Sequence, residues 1–467
     1  MAMLGKRRPP RPASGHSGLA GTPGGKTRHT ATEGTSPLVI ERLAHDGRGV
    51  AHAANGKTVF VDQALPGEQV DVAIHLTRKR FDEAHLKSLL TTSEQRVTPP
   101  CPHFGHCGGC DLQHLNIDAQ RAHKREVVRD LFARQGITLD QIGSIQGDDQ
   151  GYRRRARLGV KVDSQGNTRL GFRAAHSHRL VDIERCPVLV DPLQQLLTPL
   201  RELLKTLEAP RQVGHIELLA TPTTQVVLVR QLKEHGKDAE RWQAFAQQQG
   251  VALGTWLGRE TPALHWHGAA PTLEEVLTVN GQPPLSLSFA PGDFLQVNAQ
   301  VNQQMVAQIL QWLAPQPGQK LLDLFAGIGN FSLPMAGAGA EVHAVEGNLA
   351  MVARIAINAK RNQLMVSGQQ ADLSDAVGVN ELLTVHGDSD ALVLDPPRSG
   401  AEAICQALAH HPVPKVVYIS CDPATLARDA AHLVHAGYRV KQVAVADMFL
   451  HTAHMETLML FEADVKK

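Results

Sequence analysis

Nowhere does the chain hold a run of about 18 consecutive apolar residues, so no helix is expected to span a bilayer. The start is basic (Lys6, Arg7, Arg8, Arg11), but no apolar stretch follows to make a secretory signal. A cytoplasmic protein with no membrane partner is therefore the expectation, and it is taken as a monomer. An excess of one charge is also missing: 47 Lys and Arg face 46 Asp and Glu, a formal net of +1. Cysteine is sparse, with Cys101, Cys107, Cys110, Cys186, Cys405 and Cys421 the only six. In a cytosolic chain of this size they do not suggest a disulfide framework. Clustered thiols then point to a metal and isolated ones to chemistry or packing. Four of the six cluster.

What is present fits several domains. The 467 residues suggest about three, at roughly 100–200 residues each, and the hydrophobic fraction of 42% lets each bury a core. The near-zero net charge hides a split. Residues 1–36 carry six Lys and Arg against the single Glu33 and are rich in Gly, Pro, Ser and Thr, the composition of a disordered basic tail. Residues 151–185 carry nine Lys and Arg against three acids, beginning with Arg153, Arg154, Arg155 and Arg157. Such a patch suits phosphates, although a charge run can also be no more than a solvated face.

Residues 37–95 read as a small β unit. Short β-prone runs (Pro37–Ile40, Thr58–Val61, Gln69–Ile74) are separated by the turn signals Asp46-Gly47, Asn55-Gly56 and Pro66-Gly67, which suits a closed barrel of the oligonucleotide-binding type. Residues 96–112 and 147–293 are assigned to a mixed α/β central domain. Residues 113–146, whose first part reads as a helix to 136, go with 294–467 as a doubly wound parallel α/β domain. In that last part strand-like runs at Leu321–Phe325, Val342–Val345, Ala391–Leu394 and Val416–Ser420 alternate with helical stretches.

Asp323-Leu324-Phe325-Ala326-Gly327-Ile328-Gly329-Asn330-Phe331 reads as a strand, a glycine turn and a helix start, with Glu346 ending the next strand 17 residues beyond Gly329. An acid there can hold both ribose hydroxyls of a nucleoside cofactor. The lack of a third glycine, and so of a pyrophosphate cradle, leans towards a cofactor without phosphates. Two later strands end in Asp395-Pro396-Pro397-Arg398 and Ser420-Cys421-Asp422-Pro423. In a doubly wound sheet both tips share the carboxyl edge with the glycine turn, which makes Cys421 a candidate nucleophile, while Cys405 on its helix suits core packing. Glu456 opens the last strand, either as an exposed edge carboxylate or as a general base. A thiol and a base together suit methylation at carbon 5 of uracil. That carbon becomes nucleophilic only after a thiolate adds at carbon 6, and its proton must then be removed. Amino-group methyltransferases carry an aromatic residue after the two prolines; Arg398 stands there instead.

Taken in order, Phe294-Leu295-Gln296-Val297-Asn298, the glycine-turn segment, Asp395-Pro396-Pro397-Arg398, Ser420-Cys421-Asp422-Pro423 and His454-Met455-Glu456 resemble the RNA uracil-5-methyltransferases, and the resemblance covers nearly everything from residue 37 onwards. It implies S-adenosylmethionine as methyl donor, held by Gln296, Phe325, Asn330, Glu346, Asp372 and Asp395, with Cys421 as nucleophile and Glu456 as proton acceptor. The segment around Asp372 is the loosest match. Cys101, Cys107, Cys110 and Cys186 supply four thiolates, which by spacing alone suit either zinc or a [4Fe–4S] cluster. The resemblance favours the iron–sulfur members, and it identifies the amino-terminal barrel as a TRAM-like RNA-binding module. Together these imply 23S ribosomal RNA as the partner, at the uracil numbered 1939. The alternatives are the same chemistry on another RNA, such as the transfer-RNA T-loop or a different 23S uracil, or a non-catalytic RNA-binding assembly factor. Radical chemistry at the cluster is disfavoured, since a fourth thiolate is available to close the open iron position that it needs.

Overall fold

The computed structural model describes residues 37–463; the basic segment 1–36 lies outside the described residues. The chain divides into two compact units. One takes in Arg48–Ser93 and the residues up to Ala44, the other His45–Gly47 and everything from Glu94 on.

The first unit is a six-stranded sheet in the order Leu38–Val39, Gln69–Thr77, Phe81–Leu89, Thr58–Asp62, Gly49–His52, Arg42–Leu43. The two edge strands are halves of one short segment. Between them the Ile40 N–H donates to the Glu68 carbonyl at 2.9 Å and the Glu41 N–H to the Val50 carbonyl at 2.8 Å, so the segment closes the sheet into a barrel. Closure removes the free edges that an open sheet of this size would present. Along Thr58–Asp62 burial alternates with the two-residue strand period, and Val59 and Val61 join Ile40, Val70, Val72 and Ala84 in the barrel core.

In the second unit a seven-stranded sheet runs Leu180–Asp182, Thr168–Arg173, Arg155–Val162, Val213–Ala220, Gln225–Gln231, Ala252–Leu257, Ala263–Trp266. Its one parallel pair joins Gln225–Gln231 to Ala252–Leu257 through the crossover helix Gly236–Gln249. That helix and Leu197–Thr206 cover one face through Trp242, Phe245, Leu200 and Leu204. From the other face, Leu219, Val226 and Leu228 enter a larger core shared with the carboxyl-terminal sheet and with the helix Ala299–Leu313.

The carboxyl-terminal sheet has eight strands in the order Val366–Gln370, Glu341–Glu346, Lys320–Leu324, Ala391–Leu394, Lys415–Ser420, Glu456–Ala463, Tyr438–Ala446, Gly143–Ile145. The first five are parallel; Glu456–Ala463 runs antiparallel to both its neighbours. Strand order reverses at Lys320–Leu324, so a ligand crevice is expected outside its carboxyl end. The helix Ile117–Arg134, capped by the Asn116 side chain, packs Val127, Val128 and Phe132 into the core on one face of this sheet. The short strand Gly143–Ile145 then adds to its far edge, in parallel with Tyr438–Ala446.

Two strands give little apolar signal in the sequence, for physical reasons. Val366–Gln370 is an edge strand with mostly exposed side chains, so nothing requires apolar residues there. Tyr438–Ala446 carries Arg439, Lys441 and Gln442, and an irregularity between Val440 and Gln442 breaks its alternation.

Candidate active site

The carboxyl edge of the eight-stranded sheet gathers the motif residues. Lys320–Leu324 stops one residue short of the apolar run, because Phe325 takes a left-handed φ of 63° and turns the chain out of the sheet. Such a conformation is uncommon for a bulky residue and is typical of functional turns. Gly327 and Gly329 follow at φ 58° and 94°, and a Cβ on Gly329 would lie 2.2 Å from Leu333 Cδ1, so only glycine fits. The turn is tied on both sides. Ser332 donates its hydroxyl to the buried Asp323, and Glu346 accepts from the N–H groups of Gly327 at 3.1 Å and Asn348 at 2.9 Å. Burial raises the Asp323 carboxyl to about 7, against the opposing pull of Ser332.

Asn330 at the end of the turn exchanges two amide hydrogen bonds of 2.9 Å with Asn302, on the buried face of the helix Ala299–Leu313. That helix begins one residue after the Asn298 cap and three after Gln296, so the Phe294–Asn298 segment is brought up beside the turn. Gln296 itself is buried. Asp372 lies two residues past the strand Val366–Gln370 at the same edge, exposed, accepting from the N–H and hydroxyl of Ser374 at 2.9 and 2.6 Å, which holds its carboxyl below the usual range.

On the other side of the switch point stand Asp395, Arg398, Cys421 and Glu456. Lys415–Ser420 pairs with the last strand in a register that sets Ser420 opposite Thr457. One step further, that antiparallel register brings Cys421 close to Glu456. Local chemistry keeps Cys421 at the tip: Asp422 caps the helix Pro423–His435 with Pro423 in its first turn, leaving one residue between strand and cap. Glu456 is only 4% exposed, and its strand is paired on both sides, so it is not the exposed edge carboxylate that the sequence allowed. Burial first, and the neighbouring Asp395 second, push the Glu456 carboxyl well up, while Arg398 draws it down. Asp395 is raised to about 7 by burial and by Asp323. Burial and Glu456 raise the Cys421 thiol to about 11, and Arg398 opposes this by charge and by a hydrogen bond to the sulfur. The sequence used Arg398 only to exclude amino-group chemistry; the structure aims its guanidinium at the thiol. Cys405 is fully buried in the core.

The four remaining thiols also meet. Burial raises Cys107, Cys110 (to about 12) and Cys186 (to about 11), and the charges of their fellow cysteines raise each further. Gln113 accepts the Cys101 N–H at 3.1 Å and Gln194 the Cys186 N–H at 2.8 Å, fixing the two distant arms of the set. Among the described residues, the one group of three or more metal-ligating side chains whose donor atoms all lie within 4.8 Å of one another is Asp62, His75 and His85.

The arginine run at 153–157 is a correction. Arg154 is buried and ion-paired with Glu275 at 2.7 Å, and Arg155 pairs with Glu217 at 2.7 Å while donating to the Asp293 carbonyl. Arg153 is half-buried against the Arg155 carbonyl, and of the four only Arg157 is exposed. The run is mainly a scaffold for the 293–298 segment. A surface of consecutive exposed cations instead lies at Arg78, Lys79 and Arg80, the tip of the barrel hairpin between Gln69–Thr77 and Phe81–Leu89.

A sheet of this order, with a glycine turn on its first strand and an acid ending the second, defines a nucleoside-binding methyltransferase of the doubly wound class. The pattern of the tRNA (uracil-5-)-methyltransferase family matches residues 116–464, and that of the TRAM domain residues 35–87. The chain belongs to the uracil-5-methyltransferase family and carries a TRAM domain. It is 58% identical, over 99% of its length and 97% of the relative's, to the 23S rRNA (uracil(1939)-C(5))-methyltransferase RlmD of Halomonas elongata. It is 52% identical to the protein of that name from Chromohalobacter salexigens, over 100% and 97%. The crystal structure of Pyrococcus abyssi tRNA (uracil-54, C5)-methyltransferase with S-adenosyl-L-homocysteine shares the fold, at a TM-score of 0.70 and 22% identity over 91% of this chain and all of that one.

Proposed function

We propose that this chain uses S-adenosylmethionine to methylate carbon 5 of uracil 1939 in 23S ribosomal RNA, the target named for its relatives. The observation that carries the chemistry is the closeness of Cys421, just past the Ser420–Thr457 pair, to Glu456, with Asp395 and Arg398 beside them and the glycine turn at the same edge. Gln296, Phe325, Asn330, Glu346, Asp372 and Asp395 form the cofactor side. The turn fits a nucleoside: it offers an acid at the second strand tip and no phosphate cradle.

When bound, S-adenosylmethionine supplies the methyl group. Arg398 stabilises the Cys421 thiolate, which adds to carbon 6 and makes carbon 5 nucleophilic. After carbon 5 is methylated, Glu456 takes its proton, the electron pair re-forms the ring double bond, and the carbon–sulfur bond breaks to release Cys421. Burial, with Asp395 beside it, holds the Glu456 carboxyl above its ordinary range, which favours its taking up a proton. A uracil stacked in a helix exposes neither face to this crevice, so the base must be flipped out of its stack. The test of the reading is methylation of a 23S fragment spanning the target against transfer RNA. Product carrying 5-methyluridine only in transfer RNA would overturn the choice of substrate.

Cys101, Cys107, Cys110 and Cys186 are assigned to a [4Fe–4S] cluster. The mutual charge effects among these buried thiols gather them at one site, which suits four thiolate ligands of zinc or of a cluster, and the resemblance favours the iron–sulfur members. Anaerobically purified protein is expected to be brown and to hold about four irons per chain; one zinc and no iron would overturn the assignment. The enzyme is taken to act as a monomer in the cytoplasm, where its RNA is.

The two basic regions should respond differently to mutation. Arg154→Met leaves Glu275 buried and unpaired, and is expected to lower stability by roughly 3–5 kcal/mol in denaturant unfolding. Neutralising Arg78, Lys79 and Arg80 together should leave stability unchanged, raise KM for RNA, and reduce the salt slope of binding by about three. An unchanged salt slope in the triple variant would remove the hairpin tip from the RNA surface.

A further inference from the structure

Glu456 is delivered to the crevice by the loop 447–455, which has no regular structure beyond turns. At its centre His451 lies at φ 65°, in the left-handed region. The loop does not hold that shape by itself. The N–H groups of Asp111 and Leu112 both donate to the His451 carbonyl, at 2.8 and 2.9 Å. Gln120 accepts the His451 N–H at 3.0 Å while donating its amide to the carbonyls of Leu112 at 2.9 Å and Leu115 at 2.7 Å. Lys124, fully buried, donates to the Phe449 carbonyl at 2.9 Å, and the Tyr152 hydroxyl donates to the Leu450 carbonyl at 2.8 Å.

These grips have a common origin. Asp111 and Leu112 directly follow the thiol Cys110; Gln120 and Lys124 lie on the helix that begins seven residues after Cys110, at Ile117; Tyr152 packs in one small cluster with Leu450, Cys110 and Cys186. The left-handed turn at His451 thus receives two hydrogen bonds from the residues next to a cluster ligand, and it stands five residues before the proton acceptor. We infer that the four-thiol segment braces the loop that aims Glu456, with Gln120 and Tyr152 as positioning residues, so that the state of the thiol site reaches the deprotonation of carbon 5 through His451. This rests on the proposed role of Glu456. It gives the thiol site a task in the reaction without any electron transfer.

The brace predicts a defect in one step. In the full-length holoenzyme, Gln120→Met and Tyr152→Phe should bind S-adenosylmethionine and RNA with unchanged Kd and still form the Cys421 adduct. Proton removal should slow, so that kcat falls by about tenfold to a hundredfold. Covalent protein–RNA complex should then accumulate on denaturing gels, and deuterium at carbon 5 should produce an isotope effect on kcat larger than in the unaltered protein. Hydrogen exchange supplies a readout separate from activity. Amides of residues 448–455 should exchange faster in both variants, and also in the unaltered protein after a chelator has stripped its thiol site. Wild-type kcat with no trapped adduct would overturn the brace, as would a loss of adduct formation in parallel with a fall in Tm, the mark of a purely structural role. Glu456→Gln run alongside separates the two readings. An adduct there with none in Gln120→Met overturns the brace alone, whereas none in either overturns the role of Glu456 and the brace with it.

Discussion

Cys421→Ala is expected to lose methylation by roughly four orders of magnitude or more, as removal of a covalent nucleophile does, while S-adenosylmethionine still binds. The two effects separate because the thiol stands at the tip of Lys415–Ser420, across the switch point from the turn and acid proposed to hold the nucleoside. Isothermal titration with the cofactor and a single-turnover assay check both halves; substantial turnover by the variant would remove the covalent mechanism. The same site fixes the pH dependence. In the proposed mechanism Cys421 and Glu456 both act deprotonated, and burial holds both above their ordinary values in the substrate-free protein, the thiol at about 11. The active form is therefore scarce at pH 6 and gains as pH rises, so kcat/KM should climb towards pH 9, by about tenfold per unit where one proton governs. Arg398→Met removes the charge that draws both groups down and should move that limb to higher pH. A profile flat from pH 6 to 9 would contradict the assignment.

Glu456→Gln should fail later in the cycle. The amide keeps the size of the side chain but cannot accept a proton. Addition and methyl transfer proceed, whereas release from carbon 6 stalls, and turnover should fall by about 10²–10⁴-fold. The expected product is a protein–RNA complex that survives denaturing electrophoresis and already carries the methyl group. Because Glu456 is buried between two paired strands, the neutral glutamine avoids the desolvation of a charge, so lost folding is not the expected cause of the defect. Normal turnover without an adduct would leave Glu456 a structural residue.

The doubly wound domain was legible because its strands are short apolar runs ending in residues with distinctive chemistry. Ala391–Leu394 and Lys415–Ser420 each run straight into their motif. The barrel was legible from turn signals, although its closure through Leu38–Leu43 rests on two backbone hydrogen bonds that no side-chain pattern announces. The edge strand Val366–Gln370 and the irregular Tyr438–Ala446 gave no such signal, for want of a buried face in one and of regular alternation in the other.

By itself the sequence determined which chemical groups are available and that they sit at strand tips, since motif order and the strand-to-turn transition are local properties of the chain. Tertiary structure decided what each charge does. Arg154 reads as a phosphate ligand until Glu275, 121 residues away, turns it into a buried ion pair. Glu456 reads equally as surface carboxylate or base until strands on both sides bury it. The dependence of its loop on Asp111, Leu112 and Gln120 joins residues more than three hundred positions apart. Burial and pairing set the cost of a charge and the basicity of a carboxyl, and both depend on neighbours that only the folded chain supplies.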